Sequence, residues 1–281
     1  MELETITQAL WEVPNLTAIV LGGSHATGLA GPDSDLDIGL YYHEDKPFSI
    51  EDIQRVAHAI AKPESQPLVT GFYGWGPWVN GGAWIQTDSG KVDFIYRSIE
   101  HVNRVLEEGR KGRCSHDFDQ QPPFGFRSVV YFAETHVCVP LFDPEVEIAR
   151  LKRLVTPYPE ALRDAILRDN LWAVEFCLIF LRRYADKADL LNAVGSMTRI
   201  AHYLVHAVFA LNRRYFLSDK YAKKQIEEFE LQPDDFTSRL ERILGHPGED
   251  PRTLTRSTRE FTALWRETVE LYGAYQPKFD I

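Results

Sequence analysis

The chain is short of three things, and each shortage excludes a class of protein. It has no apolar run approaching the roughly 18 residues of a membrane span, and the longest, around Phe176 to Leu181, reads as part of a core helix. Cysteine is scarce: Cys114, Cys138 and Cys177 are odd in number and lack close ligand spacing, which excludes a disulfide framework and predicts reduced thiols. Basic residues are outnumbered, 31 Lys and Arg against 41 Asp and Glu, for a net charge of −10. The deficit lies in residues 1–142, with 10 against 19, while residues 143–281 hold 21 against 22. Nucleic-acid binders present basic surface to phosphates, so a polymeric nucleic-acid substrate is disfavoured and a cationic or neutral small molecule fits better. There is no internal repeat, heptad array or low-complexity tract. Met1-Glu2-Leu3-Glu4 carries acid where a secretory leader carries base, which predicts a cytoplasmic protein with no membrane partner.

What is present is ordinary globular composition, 44% hydrophobic and 26% charged, over a length that allows two domains with cores of their own. The informative stretch is Leu21 to Leu40. Thr17 to Leu21 is a β-rich apolar run ending in Gly22-Gly23-Ser24, where a strand can turn and offer backbone N–H groups to an anion. Beyond the turn Gly31-Pro32-Asp33-Ser34, Asp35 and Asp37 stand two apart in a second apolar run, Leu36 to Tyr41. On a strand that spacing puts both carboxylates on one face. Mg²⁺ takes carboxylate oxygens and is completed by substrate phosphates, so the two features together predict a metal–nucleotide site.

Ser49 to Ile60 reads as a helix with acid in its first turn, stopped at Pro63. Residues 70–82 are rich in glycine and aromatics and fit either a substrate-facing loop or a packed irregular one. Ala83 to Gln86 and Val92 to Tyr96 form a hairpin about Thr87-Asp88-Ser89-Gly90. Asp93 interrupts the apolar second strand and needs a partner, since an unpaired buried charge is expensive. A metal ion or a salt bridge would serve; Asp88, in the turn, is the competing acid. A helix follows over 98–108, then a polar stretch over 109–121 that reads as a mobile loop despite His116, Asp117 and Asp119. Past Asp143-Pro144 glycine becomes rare and helical periodicity takes over, with helices expected over 145–154, 160–185, 188–215, 222–229, 233–244 and 253–275. His202 and His206, one turn apart, read as packing residues.

Gly23, Ser24, Asp35 and Asp37 occupy the motif positions of the polymerase-β-like nucleotidyltransferase superfamily, which this stretch closely resembles and which includes aminoglycoside and lincosamide nucleotidyltransferases. The segments 123–144 and 210–216 are also similar to uncharacterised bacterial nucleotidyltransferases with a helical C-terminal region. The resemblance implies an α+β fold: a nucleotidyltransferase domain over 1–142, a mixed sheet flanked by helices, and a helical acceptor or nucleotide-closing domain over 143–281. It implies a transferase moving a nucleoside monophosphate, AMP from ATP, to a hydroxyl of a small acceptor and releasing pyrophosphate. Gly22, Gly23 and Ser24 would hold phosphates, Asp35 and Asp37 would bind Mg²⁺ (or Mn²⁺ in its place), and Asp93 would complete the catalytic set as a second-metal ligand or proton acceptor. Arg213, Arg214, Lys220 and Tyr221 are further nucleotide-binding candidates, because related enzymes close a helical region over the triphosphate. Many antibiotic-modifying members use glutamate as the third acid, so Asp93 leaves antibiotic modification open. The alternative role is an antitoxin-like regulator that nucleotidylates or masks a partner protein.

Overall fold

The computed structural model describes residues 3–281. Its contacts divide the chain into two units, Met1–Arg110 with Ser115–Pro157, and Lys111–Cys114 with Tyr158–Ile281.

The first unit runs α1 (Leu3–Trp11), β1 (Ala18–Leu21), α2 (Gly23–Thr27), β2 (Leu36–Tyr42), α3 (Ile50–Ile60), β3 (Leu68–Val69), β4 (Gly82–Thr87), β5 (Gly90–Ser98), α4 (Ile99–Arg110), β6 (His116–Asp117), β7 (Phe126–Arg127), α5 (Val130–Val137), β8 (Val139–Phe142) and α6 (Glu147–Val155). Six strands form one mixed sheet in the order β3-β4-β5-β2-β1-β8, in which only β2 and β5 run parallel. Parallel neighbours need a crossover, and α3 with the β3 and β4 strands supplies it.

Alternation decides what each face carries. In β2 and β5, Ile38, Leu40, Phe94 and Tyr96 are buried against Ile6 and Leu10 of α1 and Ile53, Ala57 and Ile60 of α3. Those helix positions recur at three and four residues, one apolar stripe per helix. Since one face of the sheet is sealed in this way, the intervening Asp37 and Asp93 must project from the other.

The 109–121 stretch is more ordered than its polarity predicts. His116 and Asp117 pair with Arg127 and Phe126 in a two-stranded ribbon, and the His116 ring is hydrogen-bonded to the Phe124 carbonyl at 2.6 Å. The expected 145–154 helix appears as α6, which belongs to the first unit and buries Ile148, Leu151 and Val155. Strand β8 carries Pro140, which a sheet accepts because β8 is an edge strand.

The second unit contains α7 (Glu160–Asp186), α8 (Leu190–Leu211), a single 3₁₀ turn (Asp219–Tyr221), α9 (Ala222–Ile226), α10 (Phe236–Gly245) and α11 (Pro251–Tyr272). The fully buried residues Leu171, Val174 and Leu178 of α7, Ile200 and Leu204 of α8, and Phe261 and Leu264 of α11 make its core. Trp265 Nε1 donates to the Leu171 carbonyl at 3.0 Å. Helix α11 starts two residues before its expected beginning because Asp250 and Thr253 cap each other reciprocally, with Pro251 in the first turn. Glu175, wholly buried in α7, accepts from Tyr275 Oη at 2.5 Å and from the backbone N–H groups of Lys278 and Phe279 at 2.6 Å each. That triple acceptance ties the segment after α11 to α7 and satisfies a carboxylate that could not otherwise be buried. Phe176, expected in a core helix, is instead exposed on α7 and stacks on Trp172. His202 and His206 lie with their rings 4.5 Å apart, and His206 packs 4.3 Å from the Phe216 ring.

Candidate active site

The glycine turn is built onto the carboxylates by backbone contact. Gly22 N–H donates to the Asp37 carbonyl at 2.8 Å, extending the β1–β2 ladder by one residue. The chain then turns at Gly23, with φ +55°, into the short α2, which ends at Gly28 with φ +73°. A Cβ on residue 23 would stand 1.7 Å from Asp37 Oδ2 and 2.7 Å from its Cγ. Only glycine therefore lets the Asp37 carboxylate lie against this turn, and only glycine takes the left-handed φ without strain. Gly23→Ala is expected to push that carboxylate aside and to cost about 1–3 kcal/mol of stability from the backbone. It should weaken triphosphate binding at least tenfold. Calorimetry with Mg–ATP checks this, and unchanged affinity would remove Asp37 from the nucleotide site.

Turn residues bring Asp35 up to the sheet: Gly31 N–H donates to Ser34 Oγ at 2.9 Å and Ser34 N–H to the Gly31 carbonyl at 3.1 Å. Asp37 is the register partner of Asp93 across the parallel β2–β5 pair, so residues 56 apart in sequence are lateral neighbours on one face. The structure thus gathers Gly22, Gly23, Ser24, Asp35, Asp37 and Asp93 at one end of one sheet. Asp88 sits exposed in the two-residue connection of the β4–β5 hairpin.

Lys91 belongs to the same constellation and carries no motif signal. Its Nζ donates to Asp35 Oδ2 and to Asp93 Oδ2, each at 3.0 Å. Burial pulls the ammonium pKa down, but the hydrogen bonds to the two aspartates outweigh it and the net shift is upward. Its one sequence clue is the spacing of two from Asp93, which on a strand means the same face. Trp84, opposite Asp93 in the hairpin register, is 47% exposed; the Lys91 ammonium lies 5.9 Å from its ring, and Trp75 stacks on it at 5.0 Å. The aromatic 70–82 segment combines both sequence readings: Phe72 packs on Tyr42, Phe48 and Tyr96, while Trp75 joins the exposed indole.

Farther along the same face, Arg97 is buried and gives Glu134 of α5 two hydrogen bonds, at 2.9 and 2.8 Å. Its remaining nitrogen donates to the carbonyls of Val79 and Tyr96. Neither residue was separable from surface charge by sequence pattern.

The other nucleotide-binding candidates lie in the second unit. Arg213, just past α8 with φ +50°, forms a two-point pair with Glu160 at 2.7 and 3.1 Å, Arg214 follows it, and Lys220 and Tyr221 lie in the 3₁₀ turn.

Among the described residues no three His, Cys, Asp or Glu side chains are gathered tightly enough to enclose a metal ion. The donor chemistry nonetheless suits a hard divalent cation: the acids are all carboxylates, and two of them already converge on one positive charge, the Lys91 ammonium.

A glycine turn is thus laid against one carboxylate, with a second and third acid on and beside the neighbouring strands, at one end of the sheet of an α+β unit. Residues 1–69 match the nucleotidyltransferase domain family, and residues 131–222 match a domain of unknown function, DUF4037. A nucleotidyltransferase-like protein from Exiguobacterium sibiricum 255-15 shares the fold at a TM-score of 0.50 with 10% identity, over 96% of this chain and 75% of its own. An aminoglycoside 6-adenyltransferase from Bacillus subtilis, also 10% identical, aligns over 97% of this chain and 90% of its own at a TM-score of 0.35. No curated protein sequence matches the chain. Residues 1–69 thus match the nucleotidyltransferase domain family, and the chain shares the fold of a nucleotidyltransferase-like protein. No helix among the described residues is long and apolar enough to cross a membrane.

Proposed function

We propose that the protein transfers AMP from ATP to a hydroxyl group of a small-molecule acceptor in a Mg²⁺-dependent reaction, releasing pyrophosphate. The observation that carries this reading is the lateral pairing of Asp37 with Asp93, with Asp35 two residues before Asp37 and the Gly22-Gly23-Ser24 turn beside them. The acceptor oxygen forms a bond to the α-phosphorus while the bond from that phosphorus to the α,β-bridging oxygen breaks, and the electron pair leaves with pyrophosphate. Ser24 and the backbone of Gly22 and Gly23 hold the β- and γ-phosphates. Asp35 and Asp37 are the ligands for Mg²⁺, which when bound neutralises phosphate charge and polarises the reacting phosphoryl group. Asp93, on the neighbouring strand, faces the acceptor and takes the hydroxyl proton or helps hold a second ion. The acidity of residues 1–142 favours a neutral or cationic acceptor over a polyanion, and the exposed Trp84 beside Asp93 offers an apolar face to a ring on acceptor or base.

Calorimetric titration of ATP tests the assignment. Affinity should require Mg²⁺ or Mn²⁺, fall at least tenfold in EDTA, and fall similarly in Asp35→Asn and Asp37→Asn. Equal affinity in all of these conditions would show that the aspartates do not hold a nucleotide-bound metal.

A further inference from the structure

We propose that Lys91 is a built-in occupant of the cation site, an ammonium that holds Asp35 and Asp93 in the nucleotide-free protein and must be displaced before a divalent cation can bind them. This rests on the metal role assigned above and adds a competitor to it.

The geometry is specific. One nitrogen stands 3.0 Å from a carboxylate oxygen of Asp35, in the turn before β2, and 3.0 Å from a carboxylate oxygen of Asp93, on β5. Asp93 is only 15% exposed and Asp35 33%, so neither carboxylate relies on bulk water alone for its compensation. The Asp37 carboxylate, whose strand neighbour is Asp93, adds a third negative group to the same end of the sheet. Clustered carboxylates repel one another unless a cation stands among them. Lys91 supplies that cation from within the chain, because the period of a strand puts residues 91 and 93 on one face. Its ammonium engages two of the carboxylates that would hold a metal, and two cations cannot share them closely without strong mutual repulsion.

Two consequences follow. Metal alone must pay to remove an ammonium that is already well paired, so nucleotide-free protein takes divalent cations weakly. Metal arriving with a triphosphate brings negative charge that can receive the displaced ammonium, so the two ligands load together. The lysine stem gives Lys91 the reach for such an exchange, and the Trp84 ring, 5.9 Å from the ammonium, offers a second favourable cation position at the rim of the site.

The experiment titrates Mn²⁺ alone, without nucleotide, into the full chain and follows unbound Mn²⁺ by electron paramagnetic resonance. Lys91→Met is expected to bind Mn²⁺ at least tenfold more tightly than wild type, Lys91→Gln to behave like Lys91→Met, and Lys91→Arg, which keeps the charge, to stay near wild type. Adding Asp35→Asn to Lys91→Met should abolish the gain, which ties it to these carboxylates. Wild-type or weaker Mn²⁺ affinity in both neutral variants, with native near-ultraviolet circular dichroism in at least one, would overturn the proposal. Mn²⁺–ATP binding to wild type separates the two readings. If wild type binds Mn²⁺–ATP and the neutral variants gain nothing for Mn²⁺ alone, only the competitor role fails; if wild type does not bind Mn²⁺–ATP, the metal assignment fails and the competitor role with it.

Discussion

Asp93→Asn is expected to retain Mg–ATP affinity within about threefold of wild type and to lose transfer by 10²- to 10⁴-fold, the range that a general base contributes. The reason lies in the placement of the three acids. Asp37 contacts the glycine turn through both its carbonyl and its carboxylate, and Asp35 leads into the same strand, so under the proposed reaction these two are assigned to the triphosphate and its metal. Asp93 stands one strand over, beyond the turn's reach in sequence and on the side of the hairpin that carries Trp84. A group that meets the acceptor only as its hydroxyl attacks affects the transition state more than the ground state. Lys91 keeps Asp35 as a partner in this variant, so the local charge balance is not destroyed. Binding and chemistry should thus separate for Asp93→Asn and fall together for Asp35→Asn. The measurements are calorimetric affinity and, with an acceptor found by screening, pyrophosphate release. Wild-type turnover in Asp93→Asn would make Asp93 structural and turn attention to Asp88.

Glu134→Gln should be the most destabilising conservative change on the acidic face of the sheet. Arg97 is 5% exposed and its charge is met chiefly by Glu134, through two parallel hydrogen bonds. Burial alone would drive the guanidinium toward neutrality, and the neighbouring carboxylate reverses that, raising its pKa further above the ordinary range. Removing the carboxylate leaves a buried cation whose charge is met by no anion, only by the Val79 and Tyr96 carbonyls, the Tyr131 ring face 5.2 Å away and the amide oxygen of the new side chain. Breaking one side of such a pair costs about 3–5 kcal/mol, and the partial exposure of Glu134 argues for the lower end. About 3 kcal/mol corresponds to a fall in Tm on the order of 10 °C for a unit of this size. Thermal unfolding followed by circular dichroism checks it, with Glu134→Asp as the charge-retaining control. A Tm within a degree of wild type would mean that water and carbonyls compensate Arg97 without Glu134.

The local elements and the composition of the motif were legible in the chain alone. β1, β2, α3, the β4–β5 hairpin, α4 and the long helices α7, α8 and α11 follow from apolar periodicity and from Gly and Pro punctuation, which act over a few residues and need no partner. The two-residue period put Asp37 on one face of β2 and made Asp93 conspicuous as a charge in an apolar run, whereas Asp35 lies in the turn just before β2. Elements whose stability comes from contacts distant in sequence were not legible. The β6–β7 ribbon is two residues per strand, β8 holds an edge by pairing with β1, and α5 buries Tyr131 and Phe132, residues with as much strand character as helix. That Asp93 stands beside Asp37 came from the fold, because strand order and register depend on which helices seal the opposite face. It alone revealed Lys91 between Asp35 and Asp93 and Glu134 against Arg97. An isolated lysine or glutamate reads as a solvated charge until folding brings an opposite charge within 3 Å of it, since the energy of an ion pair depends on separation and burial, and neither is written in the local sequence.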